Sequence, residues 1–297
     1  AVLKALHERV DHGIFGYPGE LKGLKESILE RLESQFQWHL TPEDIVYVPG
    51  VVSGFNWVVQ SVTQLGEGMI IQTPVYPPFF SAFKNAGLVQ QEMELTVGSK
   101  GQYEIDFDRF AAAFDSSSKM FLLCNPHNPI GRVFTRAELE RMAEECLQRD
   151  VLICSDEIHC DLIFTGHRHI PIAAIAPEIA KRTITLMAPS KTFNIAGLEF
   201  SFAVVTNPDL REVLKRGRRG VVGHPNLMGM VAAKAAYQAG QDWLDELLKI
   251  LEANRILVFD TVNTKLPGIK MVLPQATYLA WLDCRAAGIG DDPADFF

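Results

Sequence analysis

The sequence predicts an α/β fold, a mainly parallel sheet with flanking helices, followed by a smaller α+β domain. Three observations carry that expectation. Short β-branched runs alternate with amphipathic helical patterns along most of the chain, and strands alternating with helices imply parallel crossovers. From about residue 240 the alternation gives way to one long helical pattern and two short strands. At 297 residues the chain is long enough for one large and one small domain.

The elements follow in order. LKGLKESILERLESQF (21–36) has apolar residues at helical spacing, DIVYVPG (44–50) reads as a short strand, and SGFNWVVQSVTQL (53–65) as a helix. Then come the strand GMIIQT (68–73), a helix through PPFFSAFKNAG (77–87) and the strand KMFLLC (119–124). The helix TRAELERMAEECLQRD (135–150) leads into VLICS (151–155), TITLM (183–187) and FSFAVV (200–205). QDWLDELLKILEANRILVFDTVNTKL (241–266) is the long helix, and GIKMVL (268–273) and TYLAWLDC (277–284) are the last strands. The expected division is an N-terminal segment (1–20), a large α/β domain (21–240) and the start of an incomplete small domain (241–297). AVLKALHERVDHG begins as though already inside a helix and DDPADFF ends without a closing element, so the chain is expected to be truncated at both ends.

A formal charge of −8 argues against nucleic acid or an anionic membrane as a general partner. The one basic cluster, KRGRRG (215–220), reads as a solvated helix end. Five cysteines, at 124, 146, 154, 160 and 284, form no CxxC pair, which suggests reduced thiols in a cytoplasmic compartment. No apolar run approaches the roughly 18–20 residues that span a bilayer.

In open parallel sheets, ligands bind beyond the carboxyl ends of the strands. Unusual residues fall there four times: PGVVSG (49–54), NPHNPIG (125–131), DEIHCD (156–161) and APSK (188–191). Taken singly, each has a plain structural reading. Ser53 would cap a helix, NPHNPIG would be a loop rich in turn formers, Asp156 would be a cap and His159 a satisfied core histidine. A metal at His159, Cys160 and Asp161 is disfavoured, because neighbouring residues rarely point at one ion. Lys191 is harder to dismiss, since an ammonium between two apolar strands either snorkels outward or is destabilised by desolvation. A desolvated lysine becomes a nucleophilic amine able to form a Schiff base. Asp156, ending another apolar strand, needs a cation. Pyridoxal 5'-phosphate would answer both needs: an aldehyde for the lysine, a pyridinium nitrogen for the aspartate and a phosphate for a helix start.

The ordered set PGVVSG, TPVYPPF, NPHNPIGRVF, SDEIHCDL and APSKTFNIAGL resembles fold-type I pyridoxal-phosphate enzymes of aminotransferase class I/II. FGYP (15–18), SDEIHCDLIFTGHRHIP and SKTFNIAGL narrow the resemblance to the MalY/PatB-type cystathionine β-lyases, or C–S lyases. The resemblance covers essentially the whole chain and implies the PLP-dependent transferase fold. It implies that Lys191 carries the cofactor and moves the substrate Cα proton, while Asp156 pairs with the ring nitrogen. Asn128 and His159 would lie near the phenolic oxygen and Tyr76 on the ring face. Gly50, Val51 and Val52 would cradle the phosphate, with Ser190 nearby. Tyr17 would reach the phosphate of a neighbouring subunit, implying a homodimer. Glu199 stands where many aminotransferases carry a phosphate-binding arginine, a departure that favours the lyase subfamily. The arginine that holds the substrate carboxylate in this family is expected beyond the end of the chain. The implied reaction is β-elimination from an S-substituted cysteine such as cystathionine. The alternative is class I/II aminotransfer, for which the same residues would serve.

Overall fold

The computed structural model describes residues 1–17, 19–99, 101–290 and 296. A seven-stranded sheet forms its centre, from strands β1 (Ile45–Val48), β2 (Gly68–Thr73), β3 (Val89–Glu94), β4 (Ser118–Cys124), β5 (Leu152–Asp156), β6 (Thr183–Met187) and β7 (Ser201–Val204). Their spatial order is β1-β7-β6-β5-β4-β2-β3. The pairs from β6 through β3 are all parallel. β7 runs antiparallel to both β6 and β1, so FSFAVV is the reversed member of a mainly parallel sheet.

The central strands are apolar almost throughout because helices cover both faces. The side chains of β4 show the two-residue alternation: Met120, Leu122 and Cys124 join one core cluster, Phe121 and Leu123 another. The first cluster packs under the helix Val51–Val62 through Val51, Phe55, Val58 and Val59. The second packs under the helix Arg136–Gln148 through Leu139, Met142, Ala143 and Cys146. The start of that second helix is fixed by a capping box. Thr135 Oγ1 accepts from the Glu138 amide, and Glu138 Oε2 accepts from the Thr135 amide at 2.8 Å. Burial of the central strands sets the register, since a one-residue slip would turn the apolar residues of each strand onto the wrong face.

Several elements differ from the sequence expectation. The helix after β1 begins at Val51 rather than Ser53, with Gly50 as its N-cap. Ser53 therefore sits inside the first turn and is not the cap. β3, VQQEME, has no strong apolar run and had no counterpart in the sequence reading. As an edge strand it buries only Gln91 and Met93. Only Leu282–Asp283 of the expected strand 277–284 is extended, paired with Lys270–Met271. Thr277 instead takes a left-handed backbone, φ 70°, with its amide donating to the Leu162 carbonyl at 2.8 Å. KRGRRG does end a helix, Pro208–Arg218, but Arg218 is half-buried and donates to the carbonyls of Tyr47 and Val222. The long helix runs Gln241–Lys265, as expected. No described helix is long and apolar enough to cross a membrane, and all five cysteines are free thiols.

Candidate active site

The carboxyl ends of β1, β2, β4, β5 and β6 lie on one edge of the sheet because these strands run the same way. The chain therefore leaves each of them beside the others. A cavity of about 550 Å³ opens at this edge, lined by residues from all five exits. Gly50, Val51, Val52, Tyr76, Asn128, Asp156, His159, Ser190 and Lys191 all face it. Only Tyr17 of the expected site residues lies elsewhere, fully exposed in the segment after the first helix. A larger open cleft of about 640 Å³ lies around Tyr103, Arg132 and Trp281 and touches none of these residues.

Local hydrogen bonds hold the cavity wall. Asp156 is the last residue of β5, and its Oδ1 accepts from the Ile158 amide at 3.1 Å, turning the chain away from the sheet. The Asp156 carbonyl accepts from the Asn125 amide at 3.0 Å, and the Glu157 amide donates to the Leu186 carbonyl at 2.8 Å. These bonds tie the exits of β4, β5 and β6 together. Tyr76 is tied to the opposite loop, its amide donating to the Asn128 carbonyl at 3.1 Å. The Asn128 amide donates to Cys124 Sγ at 3.3 Å.

The electrostatics of the cavity are unbalanced. Asp156 is buried, and burial, reinforced by the neighbouring Glu157 charge, pushes its carboxyl up to about 7 against the pull of the Ile158 amide and Lys191. Asp156 forms no ion pair among the described residues. His159 is buried and pushed down to about 4 by desolvation and by the nearby Lys191 charge, and its Nδ1 has no hydrogen-bond partner among the described residues. The helix Val51–Val62 turns its first residues to the cavity with no side-chain cap among the described residues, leaving backbone donors for an anion. Lys191 is half-buried on the cavity wall rather than enclosed in the core. The strands on either side and the loop residues flanking it are buried, yet Lys191 itself is only partly so, because its side chain faces the cavity.

These features fit pyridoxal phosphate. A buried carboxylate without a cation suits a protonated ring nitrogen, an orphaned imidazole nitrogen suits a polar ring substituent, an open helix start suits a phosphate, and a lysine suits the aldehyde. The cavity also contains groups that sequence reasoning missed. Cys124, Phe200, Tyr278 and Leu279 line it, beside Glu199, which the resemblance had already placed near the phosphate. The Tyr278 ring stands edge-on to His159, with centroids 5.6 Å apart. No local signal marked Tyr278, because its approach depends on the left-handed turn at Thr277. Asp161, next to His159 and Cys160 in sequence, faces away and pairs with Arg31.

Comparison with known proteins agrees with this geometry. The family model for aminotransferase class I and II matches residues 1–295. Cystathionine beta-lyase PatB of Bacillus subtilis (strain 168) is 39% identical over 298 residues, covering 98% of this chain and 76% of that protein. The crystal structure of OvoB superposes with a TM-score of 0.96 at 44% identity, covering 99% of this chain and 77% of that one. Cystalysin from Treponema denticola, whose crystal structure contains a pyridoxal 5'-phosphate cofactor, gives a TM-score of 0.92 at 37% identity over 96% of this chain and 72% of that one. The chain belongs to the aminotransferase class I and II family, with the fold of the pyridoxal-phosphate-dependent fold-type I enzymes.

Proposed function

We propose that this protein is a pyridoxal-phosphate-dependent carbon–sulfur β-lyase that cleaves cystathionine or a related S-substituted cysteine to a thiol, pyruvate and ammonia. The observation that carries the cofactor-dependent chemistry is the meeting of Lys191 with the unpaired, buried Asp156 across one cavity. The resemblance to PatB and cystalysin directs that chemistry to C–S bond cleavage.

When bound, the cofactor supplies an aldehyde for amines and a cationic ring that draws off the electron pair left at the substrate Cα. Lys191 Nζ is the covalent anchor and, once displaced by the substrate amine, the base that takes the Cα proton. Asp156 keeps the proton on the ring nitrogen, an interaction that also relieves its own buried charge. The amides of the first turn after Gly50 bind the phosphate, with the Ser190 hydroxyl beside them. Tyr76 would pack against the ring, and Asn128 and His159 would hold its phenolic oxygen. The electron pair left at Cα would then expel the sulfur from Cβ as a thiolate, and the released three-carbon enamine would take up water to give pyruvate and ammonia.

A homodimer in which Tyr17 serves the neighbouring site is part of the same reading. It is supported by the exposure of Ile14, Phe15 and Tyr17 on one short segment. The test is a pyruvate assay on the cofactor-loaded protein with L-cystathionine. Thiol and pyruvate released in equal amounts are expected. Keto-acid-dependent amino transfer without pyruvate would identify an aminotransferase instead.

A further inference from the structure

Behind the wall that carries Lys191 lies a buried ionic network that the chemistry above does not use. Arg31, from the helix Leu24–Phe36, donates through Nη2 to Asp161 Oδ1 at 2.7 Å, and the two side chains are only 7% and 5% exposed. Its Nη1 donates to Gln241 Oε1 at 3.2 Å, at the start of the helix Gln241–Lys265. The guanidinium lies over the rings of Phe193 and Tyr237, 5.5 and 5.2 Å from their centroids. The other oxygen of Asp161 accepts from Thr192 Oγ1 at 3.0 Å. Thr192 is fully buried and directly follows Lys191. Both residues after the lysine are thus held by one network, Thr192 through Asp161 and Phe193 through Arg31.

A buried ion pair is a poor means of stabilising a core, because desolvation consumes much of the attraction and apolar residues of equal volume often serve better. What this network provides is direction. The planar guanidinium and a carboxylate bonded at both oxygens fix orientation as well as distance. Lys191 needs that, because its flexible four-carbon stem has many rotamers and its amine has to serve in two places. We propose that Arg31, Asp161 and Thr192 are positioning residues for Lys191, fixing the backbone root of its side chain so that Nζ reaches both the cofactor aldehyde and the substrate Cα proton. This rests on the assignment of Lys191 as anchor and base.

Thr192→Val is the deciding variant, because it keeps the ion pair and nearly the same volume while removing the hydroxyl. Thr192→Ser restores the hydroxyl, and Asp161→Asn perturbs the same oxygen more severely. Two quantities are measured on the full chain. One is the rate at which apoprotein forms its carbon–nitrogen double bond with added pyridoxal phosphate, followed by absorbance and by the borohydride-tagged peptide. The other is the isotope effect on kcat with Cα-deuterated substrate. Thr192→Val is expected to slow bond formation and to lower kcat by about tenfold, with KM little changed, because small misplacements near the chemistry are costly. Its isotope effect should rise, and Thr192→Ser should recover both quantities. A Thr192→Val protein with wild-type bond formation and isotope effect overturns the proposal, whatever its melting temperature. Lys191→Ala separates the two readings. A tagged peptide or thiol release persisting in that variant refutes the role of Lys191 itself, whereas an inert Lys191→Ala beside a wild-type-like Thr192→Val refutes only the positioning network.

Discussion

The unbalanced charge at Asp156 makes a prediction that requires no catalysis. In the apoprotein the carboxyl has risen from 3.8 to about 7. Between those values the folded state holds a proton that the unfolded state has released, so stability must fall as pH rises through the window. Three units or so correspond to about 4 kcal/mol over the whole window, and about 3 kcal/mol of that falls between roughly pH 5 and pH 8. Asn in place of Asp156 can still accept from the Ile158 amide but carries no charge to desolvate. Apoprotein bearing Asp156→Asn should therefore lack this part of the pH dependence. Relative to wild type it should gain about 3 kcal/mol between pH 5 and pH 8, while losing affinity for pyridoxal phosphate. His127 and His159, held neutral in the fold, change stability in the opposite direction below pH 6.5, but they do so equally in both proteins, so the difference between the two isolates Asp156. Urea unfolding of both apoproteins at the two pH values gives the difference directly. An Asn variant that tracks wild type at both pH values would mean that Asp156 is not a strained carboxylate, and the case for a ring cation beside it would fall.

Four further outcomes are expected. Burial holds the imidazoles of His127 and His159 down at about 4. The folded state thus binds fewer protons than the unfolded chain between about 4 and 6.5, and stability is lost as pH falls through that window; side-chain NMR of the apoprotein should show both rings neutral at pH 6. Gly54 packs so tightly that a Cβ there would meet Leu186 Cδ2 at 3.2 Å and Val48 Cγ1 at 3.4 Å. Gly54→Val should lift the helix start off β6, destabilising the fold by about 1–3 kcal/mol and weakening cofactor retention, measurable by dialysis and absorbance. Glu199 lines the cavity as an exposed carboxylate, so Glu199→Gln should tighten binding of the phosphate-bearing cofactor by about two- to fivefold at low salt, an effect that added salt diminishes. Lys191→Ala should abolish thiol release from cystathionine and the borohydride-stable label at that position.

Much of the site was legible because it is built at strand ends. The apolar runs fixed DIVYV, KMFLLC, VLICS and TITLM as buried parallel strands, and the residues after each had to share one rim. The segments that carry Gly50, Asn128, Asp156 and Lys191 followed from that, whereas the individual roles of Asn128, His159, Tyr76 and Gly50 came from the family resemblance. What escaped was set by tertiary context. VQQEME forms the edge strand β3 because β2 offers it a ladder, not because its own residues favour extension. The helix Leu227–Ala239, LMGMVAAKAAYQA, is small and apolar on several sides, so its periodicity is blurred; it is packed into the core through Met230, Ala232, Ala233 and Ala236. Tyr278 reaches the cavity through a backbone turn that no residue type announces. The reverse error concerned depth. Flanking hydrophobicity suggested an enclosed amine, whereas Lys191 is half-buried on the cavity wall.

The reversed direction of β7 has a consequence for the loop from Ala188 to Phe200. Because β6 ends and β7 begins on the same edge of the sheet, that loop departs and returns without crossing to the far side. Both its moorings lie at the rim, and Lys191 hangs from a short span between them. A forward-running strand in that slot would have required the chain to travel back beneath the sheet first. Any shift in how β7 pairs with β6 would therefore pull on the span from its return end and alter the reach of the amine.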